Sequence, residues 1–406
     1  MYDIDLIRKE FPFFDNAKNY VYLDNAATTL KPQIIIQALS TAYTSYFANI
    51  GRGSYDLSKD AFDAFHESQD YISNFFGAFS KYKMVLTSGA TEGINIVARH
   101  YENVLMKNDV IAVSLLEHHS NYLPWKAICQ KREGIFSVIP FSKETGQIDI
   151  NFLKKISSNN VKLAAVTHAS NVTGIAQKLD EIISYLHSKN VKVIVDGSQS
   201  AAHMKINLDE MDPDFFVCSA HKILGPMGVG LLFVKKDLIE ELTPFKLGGG
   251  MVNDAERLIW KNGSERFMAG TINSIGLIAF TSAVKFIDSI GFDNINKHIQ
   301  TLVMLLEGLL DQNELIIRYG PSKCEQNIGI VSFNVYGLHA HDVGSWLNRR
   351  NIAVRVGHHC AQPLLHSYGV ESCVRASLYL YNSERDVIEL AKALREISYG
   401  EILCNR

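Results

Sequence analysis

The feature that most constrains this chain is an alternation. From about residue 80 to residue 235, apolar runs of strand length (Lys83–Thr87, Val110–Ser114, Leu163–Thr167, Val191–Val195, Phe215–Cys218 and Gly230–Val234) are separated by amphipathic segments of helix length. Apolar runs divided by helices fit a largely parallel sheet covered on its faces by those helices, an α/β architecture. Ligands of such sheets bind beyond the carboxyl ends of the strands, so the residues that follow each run are the first candidates for chemistry. Three consecutive glycines in Leu247–Gly250 mark a flexible loop. A long helical stretch from about Ile275 to Asp311 leads to a second α/β pattern, with strands near Gly329–Asn334 and Ile352–Val356. At 406 residues, two unequal domains are expected: a large one over 23–282 and a smaller C-terminal one over 283–406, with 1–22 packing against the latter.

The balance of side chains narrows the function classes. Charged residues make up 20% of the chain and the formal net charge is −3, with no block of like charges. Nucleic acid and anionic membrane surfaces are therefore not expected partners, and small-molecule chemistry is favoured. The opening MYDIDLIRKEFPFF has neither the apolar run of a signal peptide nor that of a membrane span, so a cytoplasmic location is expected. Cys129, Cys218, Cys324, Cys360, Cys373 and Cys404 show no Cys-x-x-Cys spacing, which disfavours a disulfide framework or a structural zinc site.

Chemistry collects where the runs end. The run VKVIVDGSQS stops at Asp196 and continues in small polar residues, which places an acid at a strand end. Further on, SAHKILGPMGVG sets Ser219, His221 and Lys222 between one strand and a Gly/Pro turn. A lysine there has no helix face to decorate. Pyridoxal phosphate (PLP) needs a lysine that binds it covalently and an acid that keeps its pyridine nitrogen protonated; Lys222 and Asp196 fit those roles. Taken alone, a strand-end Asp is more often a helix cap or turn residue, and a loop Lys is usually a solvated charge. In MVLTSGATEGINIV, Ser88, Gly89, Ala90 and Thr91 precede a helical pattern starting near Glu92, so backbone N–H groups and the helix dipole can hold a phosphate, although a simple cap would look the same.

Two histidine-bearing segments follow. Glu117, His118, His119 and Asn121 come after the run ending at Ser114, and an imidazole there can stack on a ring and move protons. Cys360 lies in GHHCAQP, beside His358 and His359 and five residues beyond Arg355, so nearby positive charge can favour a nucleophilic thiolate. Cys218, in its apolar strand, suits a buried inert thiol better. Arg375, in CVRASLYLYN, offers a planar fork for a carboxylate. No metal site is expected, because neighbours on an extended backbone point to opposite faces and would not share an ion.

Together these segments resemble the fold-type I, class V PLP enzymes, and within them the group II, SUF-type cysteine desulfurases. The resemblance runs through YLDNAATT (22–29), TEGIN (91–95), EHHSN (117–121), THASNVTG (167–174), VDGSQS (195–200), SAHKILGPMGVG (219–230), FMAGTIN (267–273), IAVRVGHHCAQP (352–363) and CVRASLYLYN (373–382). It implies that Lys222 binds PLP covalently, Asp196 pairs with the pyridine nitrogen, Gln199 contacts the ring hydroxyl and His118 stacks on the ring. Ala90, Thr91, Ser219 and His221 would hold the phosphate, joined by Thr271 from the second subunit of a homodimer. Asn171 and Arg375 would bind L-cysteine, with Arg355 nearby on the substrate side. Cys360 would take the sulfur as a persulfide, alanine would leave, and an acceptor protein would receive the sulfur for iron–sulfur cluster assembly or a related pathway. Two departures stand out: Gly51 precedes Arg52 where the family usually has histidine, and Ile272 replaces the proline of AGTPN. Rival readings are a selenocysteine lyase or cysteine C–S lyase with the same cofactor residues, and a metal-binding or thiol-carrier protein built on His358, His359 and Cys360.

Overall fold

A computed structural model describes residues 2–17, 19–45, 48–51, 53–156, 160–322 and 325–404. Its centre is a seven-stranded sheet in the order Tyr82–Thr87, Gly230–Lys235, Phe215–Ser219, Lys192–Asp196, Val161–Thr167, Val110–Ser114, Ile135–Ile139. The Gly230–Lys235 strand runs antiparallel to both neighbours, and every other pairing is parallel. The central strands are buried along their whole length, as their Val/Ile-rich composition requires of a sheet covered on both faces. Five parallel strands therefore deliver their following loops to one edge: Ser88–Thr91, Glu117–Asn121, His168–Asn171, Gly197–Gln199 and Ala220–Lys222.

The C-terminal part builds a four-stranded antiparallel sheet in the order Ile316–Tyr319, Ile330–Val335, Cys373–Ser377, Arg355–Gly357. Here the expected strand Ile352–Val356 divides. Ile352–Ala353 pairs in parallel with Val21–Tyr22, whereas Arg355–Gly357 pairs with Cys373–Ser377, so the chain changes partner at Val354. The expected helical stretch from Ile275 to Asp311 is also two helices, Ser274–Ile290 and Phe292–Leu310, bent by 76° at Gly291. Residue 282 thus falls inside an unbroken helix. Among the described residues no single helix is long and apolar enough to cross a membrane.

One seam ties the N-terminal segment to the C-terminal part, and a second joins the small sheet to a loop of the large one. At the N-terminus, Arg8 pairs with Asp386 at 2.9 Å, and Tyr2 and Arg8 bond the carbonyls of Leu380 and Tyr381. In the loop after Val161–Thr167, Ser332 Oγ donates to the Val172 carbonyl and Ile328 N to that of Gly174. The second seam brings the loop bearing Asn171 up to the loop bearing Cys360.

Candidate active site

A cavity of about 340 Å³ opens where these loops meet, lined by Ala90, Thr91, His118, Asn171, Asp196, Gln199, Ser219, His221, Lys222, Arg355, Cys360 and Arg375. Residues spread over nearly three hundred positions of sequence share one wall. Of the expected site residues only Thr271 is elsewhere; it is exposed and borders a different cavity with Gly51 and Ile272. Arg52 lies outside the described residues.

Lys222 ends a short 3-10 turn that follows Phe215–Ser219. The turn is clamped from the N-terminal motif: the His221 carbonyl accepts from Thr28 Oγ1 (3.1 Å), Thr29 Oγ1 (3.1 Å) and Lys31 Nζ (2.7 Å). Burial lowers the Lys222 amine to about 8, with Asp196 opposing that shift and Arg375 adding to it. A lysine so lowered holds a reactive neutral fraction near neutral pH. Asp196 is buried, and its Oδ1 accepts from Ser198 N at 2.9 Å. Gln199 donates to the Ala26 carbonyl at 2.9 Å.

The phosphate end is a tight fit. The helix over Ala90–Val104 begins at the expected loop, and Ala90 N donates to Ser219 Oγ at 2.8 Å. Thr91 Oγ1 lies 2.8 Å from Ser120 Oγ, which in turn lies 3.1 Å from His118 Nδ1. Gly230 makes this approach possible, because a Cβ there would sit 2.3 Å from Gly89 Cα. Ser120 N also donates to His118 Nδ1 at 3.1 Å, which leaves the proton of the neutral ring on Nε2. Burial, aided by the Lys222 charge, lowers His118 to about 4, so it is neutral at pH 7. Glu117 is a brace for this loop. It accepts from Ser114 Oγ, from Asn121 Nδ2 (2.6 Å) and from Thr167 N (2.6 Å), while burial raises its carboxyl to about 8.

At the substrate end, Arg375 is buried, donates Nη1 to the Asn171 carbonyl at 2.8 Å, and has its Nη2 3.7 Å from Asp24. Asp24 also takes Arg355 in a two-point pair at 2.6 and 3.2 Å. Arg355 is thus neutralised by a carboxylate that the sequence reading gave no role. Asn171 donates Nδ2 to the His359 carbonyl at 2.8 Å, so its amide nitrogen is tied to the Cys360 loop. The Cys360 carbonyl accepts from His119 N at 2.6 Å. These bonds hold two consecutive non-glycine residues in left-handed conformation, His359 (φ 50°) and Cys360 (φ 53°), a costly arrangement that needs such support. His359 turns inward and bonds the Cys373 carbonyl, while Cys360 is partly exposed. Cys129, Cys218 and Cys373 are buried free thiols, and Cys324 lies outside the described residues.

The extended backbone expected of this loop is not what it adopts. With His359 and Cys360 left-handed rather than extended, and with His119 reaching across from another loop, donor atoms of His119, His358 and Cys360 all fall within 4.8 Å of one another. Considering only sequence neighbours could not reveal that set.

A family model described as aminotransferase class-V matches residues 21–390. The chain belongs to that family. Its relatives include a protein named probable cysteine desulfurase from Halalkalibacterium halodurans, 38% identical over 396 residues, 96% of this chain and 97% of the relative. A protein named cysteine desulfurase from Escherichia coli is 36% identical over 403 residues, 98% of each chain. Among solved structures, the apo cysteine desulfurase of Thermococcus onnurineus superposes on this class-V chain with a TM-score of 0.92 at 33% identity, covering 98% of both chains. The match to fold-type I PLP enzymes therefore spans essentially the whole molecule, both sheets included.

The cavity also passes a chemical test for the cofactor of class-V enzymes. Asn171 Oδ1, His221 Nδ1 and Arg375 Nε are buried around it with no hydrogen-bond partner, an arrangement costly in a dry interior and reasonable beside a polar ligand. With Asp196 and Lys222 at the carboxyl ends of two adjacent parallel strands, the donor set suits PLP.

Proposed function

We propose that this chain is a cysteine desulfurase that binds PLP on Lys222 and transfers the sulfur of L-cysteine to Cys360. The observation that carries the reading is the shared cavity: a partly exposed thiol on a pinned loop faces the same space as Lys222, Asp196 and Arg375. When bound, PLP supplies an electron sink for charge developing at the substrate Cα. Asp196 would keep the pyridine nitrogen protonated, Gln199 would meet the ring hydroxyl, and Ala90, Thr91, Ser219 and His221 would hold the phosphate. Lys222, as a free amine, would remove the Cα proton of the substrate. Arg375 and Asn171 would orient its carboxylate, with Arg355 held in reserve by Asp24. The Cys360 thiolate would attack the substrate sulfur: the new S–S bond forms, the C–S bond breaks with its electron pair left on carbon, and protonation of that carbon, with His118 in reach, together with return of the Cα proton from Lys222, gives alanine.

Assembly belongs to the same proposal. Thr271 is exposed and lines a different cavity from Lys222 in one chain, so a homodimer is what would bring it to the neighbouring phosphate, with Gly51 on the adjoining surface. The persulfide would pass to an acceptor protein in the cytoplasm. Supplying cysteine to the holoenzyme and measuring products tests the chemistry: alanine in step with transferred sulfur supports the proposal, and pyruvate with free sulfide would replace it with a C–S lyase.

A further inference from the structure

The two imidazoles beside Cys360 have no part in that chemistry. His119 and His358 are absent from the walls of the Lys222 cavity, yet their rings lie 5.5 Å apart and their donor atoms, with Cys360 Sγ, lie within 4.8 Å of one another. In both rings a lone pair is turned toward the nucleophile's own loop: Gln362 N donates to His119 Nε2 (3.3 Å), and Cys360 N to His358 Nδ1 (3.0 Å). The long 3.3 Å bond is weak and easily surrendered. His358 is exposed and His119 is half-buried, so the set can be reached from solvent.

We propose that His119, His358 and Cys360 form a site for a borderline-soft divalent cation of the zinc class, on the same sulfur that acts as nucleophile. Two imidazoles and a thiolate are a donor set such ions favour, and a three-ligand site leaves the fourth tetrahedral position for water or an incoming thiolate. With bond lengths of about 2.0–2.3 Å, tetrahedral donors lie roughly 3.4–3.6 Å apart, so the cluster must close by about 1 Å, which rotation of His358 supplies. Loading releases the thiol proton, Cys360–SH plus M²⁺ giving Cys360–S–M⁺ plus H⁺, and the two backbone-to-imidazole bonds are given up or exchanged for the rings' other nitrogens. The ion then occupies the lone pair needed to attack sulfur, so desulfuration is reversibly shut off while the Lys222 cavity stays intact. That last consequence rests on Cys360 as nucleophile; the metal site itself does not.

The test uses holoenzyme stripped of metals and dialysed against micromolar Zn²⁺. A single ion per chain is expected, together with slower alkylation of Cys360 by iodoacetamide. Affinity should fall by roughly tenfold or more in His358→Ala, His119→Ala and Cys360→Ser. Zinc uptake that is unchanged in Cys360→Ser and His358→Ala overturns the proposal, as does no uptake at all. Uptake that vanishes only in His341→Ala also overturns it, because the ion would then sit on the exposed stacked pair His339 and His341. Alanine formation by the metal-free protein is measured separately, so failure of the metal site and failure of the desulfurase reading give different results.

Discussion

Gly230 offers a prediction whose size follows from geometry. In register it stands opposite Thr87 on one side and Ser219 on the other, the last residues of the two strands that feed the phosphate-holding loops. A methyl group at 230 would lie 2.3–2.5 Å from Gly89 backbone atoms, against ordinary contacts of 3.4–4 Å. The obstruction is backbone, so no side-chain rotation relieves it. The Ser88–Thr91 loop must move away by about 1 Å, a displacement large enough to break the Ala90 N to Ser219 Oγ bond and to misplace both groups from a phosphate. Overpacking of this kind costs about 1–3 kcal/mol. If it falls on the bound state, it corresponds to a roughly 5- to 150-fold rise in the PLP dissociation constant. Absorbance titration of apo Gly230→Ala with PLP, at a temperature where circular dichroism shows the protein folded, measures it. Native PLP affinity with native thermal stability would refute the close-approach argument.

Two further outcomes are expected. Borohydride reduction of the holoenzyme followed by peptide mapping should place the pyridoxyl group on Lys222, and Lys222→Ala should lose both label and turnover; label on another lysine would contradict the assignment. His168 is fully enclosed with Nδ1 unpartnered, and burial lowers it from 6.5 to about 4. Its contribution to stability is present above pH 6.5 and is lost as pH falls toward 4, a span worth roughly 3 kcal/mol. The urea-unfolding advantage of the native chain over His168→Gln should therefore shrink between pH 7 and pH 5, and a difference independent of pH would show that the ring is not held neutral by burial.

The cofactor end of the site was legible because it obeys local rules. Asp196 and Lys222 each follow an apolar run, and parallel strands deliver such residues to one edge. The nucleophile end obeys longer-range rules. Asp24 meets Arg355 across 331 residues, because Val21–Tyr22 pairs in parallel with Ile352–Ala353, and nothing local to YLDNAATT announces that pairing. Glu117 looked like part of a motif, and its role as a buried brace emerges only once Ser114, Asn121 and Thr167 converge on it. The threonines of the same early motif, which clamp the Lys222 turn through the His221 carbonyl, were likewise visible as letters without a task. The His119–His358–Cys360 set was hidden for a different reason: only adjacent residues were weighed, whereas His119 reaches the Cys360 loop from a distant one.

The central claim is that Cys360 Sγ attacks the sulfur of L-cysteine, and mass analysis tests it most directly. Holoenzyme mixed with limiting L-cysteine, alkylated at once and digested, should carry one added sulfur on the peptide containing Cys360, with alanine formed in equal amount. Cys360→Ala should still bind PLP and cysteine, yet transfer no sulfur. Extra sulfur on the peptides of Cys129, Cys218 or Cys373 instead, or full cysteine turnover by Cys360→Ala, would contradict the account.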